Sequence, residues 1–268
     1  MPVCRLYCIG HSSVRCEMTT ETSAGKPDVE PRTNLLLRGL SDAEYGRLRP
    51  ALETVRLPRS TELEAANEKV RFVYFPTSGV ASIVAIDEGG ESVDTAMIGR
   101  EGMTGLSVFL GTDQSPVRTI VQVPLTAVRM GADTLREEIV RGGTLVRLLQ
   151  RHTQVVMITM AQLILCNRTH RLDQRAARWL LQVDDRVDER PFGVTQEFLA
   201  QMIGVQRPAL SVAMRQFKET GLIRYSRGQI SIADREGLMA RSCGCISVIT
   251  AEARRLEILE DAAAKATK

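Results

Sequence analysis

Between Thr144 and about Asn167 the chain contains neither glycine nor proline, and a stripe spaced near 3.5 residues runs through Leu145, Leu149, His152, Val156, Thr159, Leu163 and Cys166. At 1.5 Å per residue such a helix is roughly 35 Å long, more than one small β domain can cover. Two arrangements satisfy it: a helix buried within its own domain, or a seam between two identical subunits. The helix sits between two differently patterned regions, and His152 and Thr159 are tolerable in a seam. A homodimer is therefore expected, with Leu145, Leu149, His152, Val156, Thr159 and Leu163 at its interface.

The 268 residues correspond to two domains at ~150 residues each, and 44% apolar residues can build a core in both. A net charge of +3 excludes a polycation of the histone kind, so any nucleic-acid surface must be local. Aromatics at 4% argue against stacking platforms for single strands. The longest uncharged run, Thr153 to Asn167, falls short of the ~20 apolar residues that span a bilayer. The N-terminus interleaves Cys4, Arg5, Cys8, His11 and Arg15 and lacks a secretory apolar stretch. These features predict a cytoplasmic protein without a membrane span, and Met18 offers a second start to the chain.

Upstream of the long helix the period changes. Residues 1–33 read as a flexible leader, and a helical pattern from Asn34 to Leu52 carries Ser41 or Asp42 as its cap. Short apolar or β-branched runs follow at Val70 to Phe75, Val80 to Asp87, Ser92 to Ile98, Thr119 to Val123 and Ala127 to Met130, punctuated by Pro76, Gly79, Gly89, Gly90, Gly99 and Pro124. They predict a β-barrel or sandwich over 34–142, closed by a short helix through Leu135, Ile139 and Val140. The long helix occupies 143–170. An amphipathic helix from Asp173 to Val187 opens a second domain over 171–240, and 241–268 reads as a tail.

The second domain carries the most informative pattern. Beginning at Gln196, Leu199 and Ala200 lie on one helix, Gly204 is the turn, and Val205, Leu210 and Ala213 are buried positions of a second: a helix-turn-helix. Ala200 is small where the helices cross, Thr195 can cap the first helix, and Pro208 sits in the first turn of the second, where its missing N–H costs little. The second helix, about Gln206 to Thr220, presents Gln206, Arg207, Ser211 and Arg215 outward. Leu222 to Tyr225 and Gln229 to Ile232, joined through Ser226, Arg227 and Gly228, add a two-stranded wing. Between Val194 and Ile230 five bases face two acids, a local excess equal to that of the whole chain and suited to duplex phosphates. Candidate DNA-binding residues are Thr195, Gln196, Gln206, Arg207, Pro208, Ser211, Arg215 and Arg227. The alternative is an interaction module whose basic helical face docks on protein.

The order of parts, β-roll, long helix, winged helix, resembles the cyclic-AMP receptor protein and fumarate-nitrate regulator (Crp/Fnr) superfamily of bacterial transcription factors over nearly all of Asn34 to about Asp234. Tyr74-Phe75-Pro76-Thr77-Ser78-Gly79, Gly99-Arg100-Glu101-Gly102-Met103 and Cys166-Asn167-Arg168-Thr169-His170 are similar to one branch of it. The resemblance implies an α+β fold with a cyclic-nucleotide-binding-like β-roll, a dimerisation helix and a C-terminal winged helix-turn-helix. It also implies a homodimer on a two-fold operator of double-stranded DNA, with RNA polymerase as a further partner. Arg207 resembles the family's guanine-reading arginine. Pro208 and Val212 replace a glutamate and a second arginine of the receptor-protein subgroup, so that subgroup's operator preference does not carry over.

In cyclic-nucleotide-binding members an arginine followed by Ser or Thr meets the phosphate and a Gly-Glu pair meets the ribose. Arg118 and Thr119 resemble the first, while Gly99 and Glu101, separated by Arg100, depart from the second. These four are the candidate effector residues, and cyclic nucleotide is not the expected effector. His152 and His170 are expected to be structural rather than haem ligands. Cys4, Cys8 and Cys16 lack a nearby fourth thiolate for an iron-sulfur cluster, and Cys243-Gly-Cys245 lacks a second ligand pair, so it reads as an inert turn. No metal and no cofactor are expected. No phosphate loop, nucleophile elbow or metal-binding histidine pair is present, and an enzyme is not expected.

Overall fold

The computed structural model describes residues 29–90, 92–256 and 258. Two short helices come first. In α1 (Leu35–Arg38), Asn34 accepts from the N–H groups of Leu36 and Leu37; α2 (Asp42–Leu48) begins with a reciprocal capping box between Ser41 and Glu44. The strands are β1 (Glu53–Leu57), β2 (Glu62–Glu64), β3 (Phe72–Ile86) and β4 (Ser92–Ile98), then, after the short α3 (Leu106–Phe109), β5 (Arg118–Gly131). They form an antiparallel sheet in the order β1-β5-β3-β4, with β2 also on β5.

The predicted breaks at Pro76, Gly79 and Pro124 are register shifts within long strands rather than ends. Gly79 has φ +91°, and a Cβ there would come within 2.2 Å of the Pro124 carbonyl oxygen, so the two irregular points face each other and bend one sheet. β1 and β2 lie outside the predicted strands because they are short and mostly polar, with only Val55, Leu57 and Leu63 packing on the core.

Helix α4 (Ala132–Arg141) leads through Gly142 and Gly143 into α5 (Thr144–Thr169), the long helix. Gly143 supplies no side-chain cap. Glu44 of α2 does so instead: its Oε1 accepts the Thr144 N–H at 2.6 Å, placing a carboxylate at the positive end of the helix. Burial pushes the Glu44 pKa up, but the bonds from Ser41 and Thr144 outweigh it and hold the carboxyl near about 2.

The stripe on α5 packs inside the chain. Leu145 and Leu149 join Leu36, Leu37, Met103 and Leu135 in one cluster, and Val156 joins Ile98 and Leu125 in another. Ring Nε2 of His152 lies 3.2 Å from the Met103 N–H it accepts, and Thr159 bonds back to the Val155 carbonyl. Leu163 is buried as well. The six residues expected at a subunit seam thus line the chain's own core, because the β-roll, α1 and the C-terminal helix together cover more of the helix than a β domain alone would. The outward face instead exposes Met157, Ile164 and Leu165.

The second part comprises α6 (Leu172–Asp184), the short β6 (Phe192–Gly193), α7 (Gln196–Ile203), α8 (Arg207–Glu219), β7 (Ile223–Ser226), β8 (Gln229–Ile232), α9 (Arg235–Arg241) and α10 (Cys245–Arg255). Helix α10 occupies the segment read as a tail, whereas α9 closes the span 171–240 expected for the second domain. The C-terminal region folds back along α5, with Gln154 donating to Glu252 and Gln162 to Cys245. Every residue of α6 from Arg175 to Asp184 is buried. Its neighbours belong to both parts: Val80, Val84, Met97 and Val123 of the β-roll share a core with Leu180, Leu199, Ile203 and Leu210. No helix among the described residues is long and apolar enough to cross a membrane.

Candidate nucleic-acid interface

The helix-turn-helix is built as its sequence dictates. Thr195 Oγ1 accepts the Phe198 N–H at 3.2 Å and starts α7. Gly204 ends α7 with φ +69°, a left-handed conformation that a Cβ opposes, and the Val205 N–H returns to the Ala200 carbonyl. Ala200, Leu210, Ala213, Met214 and Phe217 are buried, whereas Val205 is only half-buried. Arg207 and Pro208 form the first turn of α8 after Gln206. The buried face of α8 leaves Gln206, Arg207, Pro208, Val212 and Arg215 exposed, with Ser211 half-buried.

Contacts gather the predicted residues into one neighbourhood. Ser211 Oγ donates to Gln196 Oε1 at 2.7 Å, linking the two helices across their outer side. The Arg207 guanidinium lies 3.8 Å from Glu197, a loose surface pair that leaves it available. The wing joins the same place, since the Val194 N–H donates to the Gly228 carbonyl at 2.8 Å, directly before Thr195. Arg227 and Gly228 are the two residues between β7 and β8, with φ +48° and +76°. Positive φ at both central positions is the tight hairpin turn whose twist matches the strands, and it sets the Arg227 side chain at the wing tip.

The candidate effector residues are not brought into one site. Arg118 is half-exposed and pairs with Glu62 at 3.2 Å, while Thr119 is buried. Glu101 instead accepts from Arg186 and from the Gly99 N–H. A cavity of about 600 Å³ lies between β4, α5, α6 and the C-terminal helices; Asp94, Glu101, His152, Arg178 and Arg186 line it, whereas Arg118 and Thr119 do not. Burial lowers the His152 pKa and favours a neutral ring.

Cys243-Gly-Cys245, expected to be an inert turn without a second ligand pair, has one: Cys166, His170, Cys243 and Cys245 converge, although 77 residues separate Cys166 from Cys243. Sequence spacing concealed this because the C-terminal region was not expected to fold back. Cys4, Cys8 and Cys16 lie outside the described residues.

A β-roll joined by a long helix to a winged helix-turn-helix defines a class of DNA-binding regulators. Residues 174–241 match the Crp-like helix-turn-helix domain. The chain is 28% identical over 220 residues to the CRP-like cAMP-activated global transcriptional regulator of Mycobacterium tuberculosis, covering 77% of this chain and 96% of the relative. Among solved structures, FixK2 from Bradyrhizobium japonicum superposes with a TM-score of 0.61 at 15% identity over 72% of this chain and 98% of that one. A transcriptional regulator of the CRP/FNR family from Thermus thermophilus gives 0.57 at 18% identity over 71% and 98%. Residues 174–241 thus form a Crp-like helix-turn-helix, and the chain as a whole is similar to the Crp/Fnr transcription regulators.

Proposed function

We propose that two copies of this chain bind a palindromic operator, with α8 of each in a major groove and an effector in the β-roll region controlling the bound form. The observation that carries this reading is the joint presentation of α8, the start of α7 and the Arg227 turn on one outer side of the domain. Arg207 and Arg215 suit base edges, Ser211 and Val212 suit smaller contacts including a thymine methyl, and Gln206 and Pro208 seat the first turn. Thr195, Gln196 and Arg227 suit phosphate contacts. The dimer seam in this proposal is the exposed apolar face of α5 around Met157, Ala161, Ile164 and Leu165, since the inner stripe is already covered.

The effector is not a cyclic nucleotide. Arg118, engaged by Glu62, and Glu101, engaged by Arg186, have partners that a cyclic phosphate and its ribose would have to displace. The cavity beside Asp94, Met97, Arg178 and Ile246 is the better receptor, because both parts of the chain contribute to it. Cyclic AMP titrated into the full chain should give no heat, and micromolar binding lost in Arg118→Ala would overturn this part. Selection from a random-sequence DNA pool tests the remainder: an enriched inverted repeat with half-sites about 34 Å apart is expected. A pool without such a repeat would return the basic face to a protein partner.

A further inference from the structure

We propose that Cys166, His170, Cys243 and Cys245 form a tetrahedral zinc site that fastens the C-terminal region to the end of the long helix. Their ligand atoms all lie within 4.8 Å of one another. Cys166 Sγ and Cys243 Sγ are 3.5 Å apart, as are Cys245 Sγ and His170 Nδ1. With Zn–S near 2.3 Å and Zn–N near 2.0 Å, neighbouring ligands of a tetrahedral ion stand about 3.5 to 3.8 Å apart. The two 3.5 Å pairs have the spacing of ligands around one metal ion, and the widest separation, within 4.8 Å, closes by about 1 Å as the ion binds. A cuboidal iron-sulfur cluster places its four ligands on four different irons with sulfide between them, and needs a wider cage.

The chain's local structure supplies the ligands in two pairs. Cys166 lies in the last turn of α5 and His170 is the residue that caps it, its N–H returning to the Cys166 carbonyl, while Cys243 and Cys245 flank Gly244 at the turn into α10. All three cysteines are buried and form a cluster of their own. Three thiolates and a neutral imidazole around Zn²⁺ leave one negative charge, and burying it requires a counter-charge. Arg175 and Arg178 are both buried and attract the Cys166 thiolate electrostatically, Arg178 sharing its charge with Asp94. Gln162 Nε2, 3.3 Å from Cys245 Sγ, supplies a hydrogen bond of the kind that steadies a ligand. Four protein ligands leave no open position, so the ion is structural; as it binds, the coordinated thiols release their protons to solvent.

The location gives the site its consequence. α5 ends at Thr169 and α6, the first helix of the winged-helix part, begins at Leu172. A zinc ion there would tie the junction between long helix and DNA-binding part to the C-terminal helix, fixing the angle at which one leaves the other.

Metal content of tag-free, full-length protein purified under reducing conditions tests this. About one zinc per chain is expected, and cobalt added to the apo protein should give the intense visible bands and thiolate charge transfer of a tetrahedral S₃N site. Cys243→Ser and Cys245→Ser should each weaken cobalt binding at least tenfold. His170→Cys should retain the ion with a four-thiolate spectrum, and a Cys4, Cys8 and Cys16 triple serine variant should retain it unchanged. Folded, reduced wild type that takes up no cobalt would overturn the proposal, as would iron and sulfide in place of zinc, or metal lost only in the triple variant.

Discussion

Arg186 Nη2 lies 2.6 Å from Glu101 Oε1, with both side chains largely buried, and this pair ties the β-roll to the segment leaving α6. Gly99 makes room for it: a Cβ at Gly99 would stand 2.7 Å from Arg186 Cγ and 2.8 Å from Glu101 Oε2. Further contacts run across the same boundary, from Arg100 to Asp188 at 2.6 Å, from Gln201 to Ser92 at 2.7 Å and from the Gly79 N–H to the Arg186 carbonyl at 3.0 Å. Gly99 and Glu101, candidate effector residues from the sequence, here serve a contact between the β-roll and the segment leaving α6. Removing one partner of a buried ion pair typically costs about 3 to 5 kcal/mol, while replacing both by apolar groups costs far less. Urea unfolding should therefore show Glu101→Gln strongly destabilised and the Glu101→Met, Arg186→Leu double variant largely recovered. A single-variant loss below about 1 kcal/mol would mean that the pair does not hold this boundary.

The proposed base and phosphate contacts separate by their response to sequence and salt. Arg207→Ala should lower specific affinity tenfold to a hundredfold, about 1 to 3 kcal/mol, and relax preference at one base pair in each half-site. Arg227→Gly keeps the positive φ of the wing turn and removes only the charge. It should weaken all sequences alike and reduce the salt slope by about one unit per contact. Binding titrations on specific and scrambled duplexes at several salt concentrations check both, and a base-specific effect from Arg227→Gly would reverse the two roles.

Much of this fold was legible because its signals are local. The turn glycine, the crossing alanine and the cap at Thr195 lie within ten residues, and each acts on its own backbone. The long helix was equally plain from the absence of Gly and Pro. Periodicity, however, reports that a face is buried and not what buries it, so the stripe from Leu145 to Leu163 predicts a second subunit where α1, the β-roll and the C-terminal region supply the cover. The convergence of Cys166 with Cys243, and the capture of Glu101 by Arg186, depend on docking between distant segments, for which no short-range pattern exists.

The two faces of α5 give distinguishable outcomes. Met157 is 65% and Ile164 73% exposed, so charging both, Met157→Glu with Ile164→Glu, should leave the fold intact and convert a dimer to a monomer in sedimentation. Leu149, fully buried, should behave oppositely: Leu149→Ala should cost about 2 to 5 kcal/mol of stability through cavity formation without directly removing the seam. Wild type sedimenting as a monomer at micromolar concentration, or a charged double variant that stays dimeric, would remove this face from the proposed seam.

Asp94 is expected to make the stability of the fold sensitive to pH. It lies buried on β4, and burial raises its pKa from 3.8 to about 6, against the opposing influence of Arg178, Ser82, Gln122 and Arg186. In the unfolded chain it titrates at its ordinary value, so between the two values the folded state binds more protons. Stability from this residue therefore increases as pH falls through about 6 and levels off below about 4. At neutral pH the ionised form costs about 3 kcal/mol relative to the acid plateau. Asp94→Asn should recover part of that cost at neutral pH and flatten the slope. Burial also raises the Glu64 pKa in the same direction, so the difference between wild type and Asp94→Asn isolates the residue; Glu44, held near about 2, contributes only at more acid pH. Urea midpoints from about pH 5 to about pH 8 measure the difference. Parallel curves for the two proteins would show that Asp94 stays ionised throughout this range in the fold.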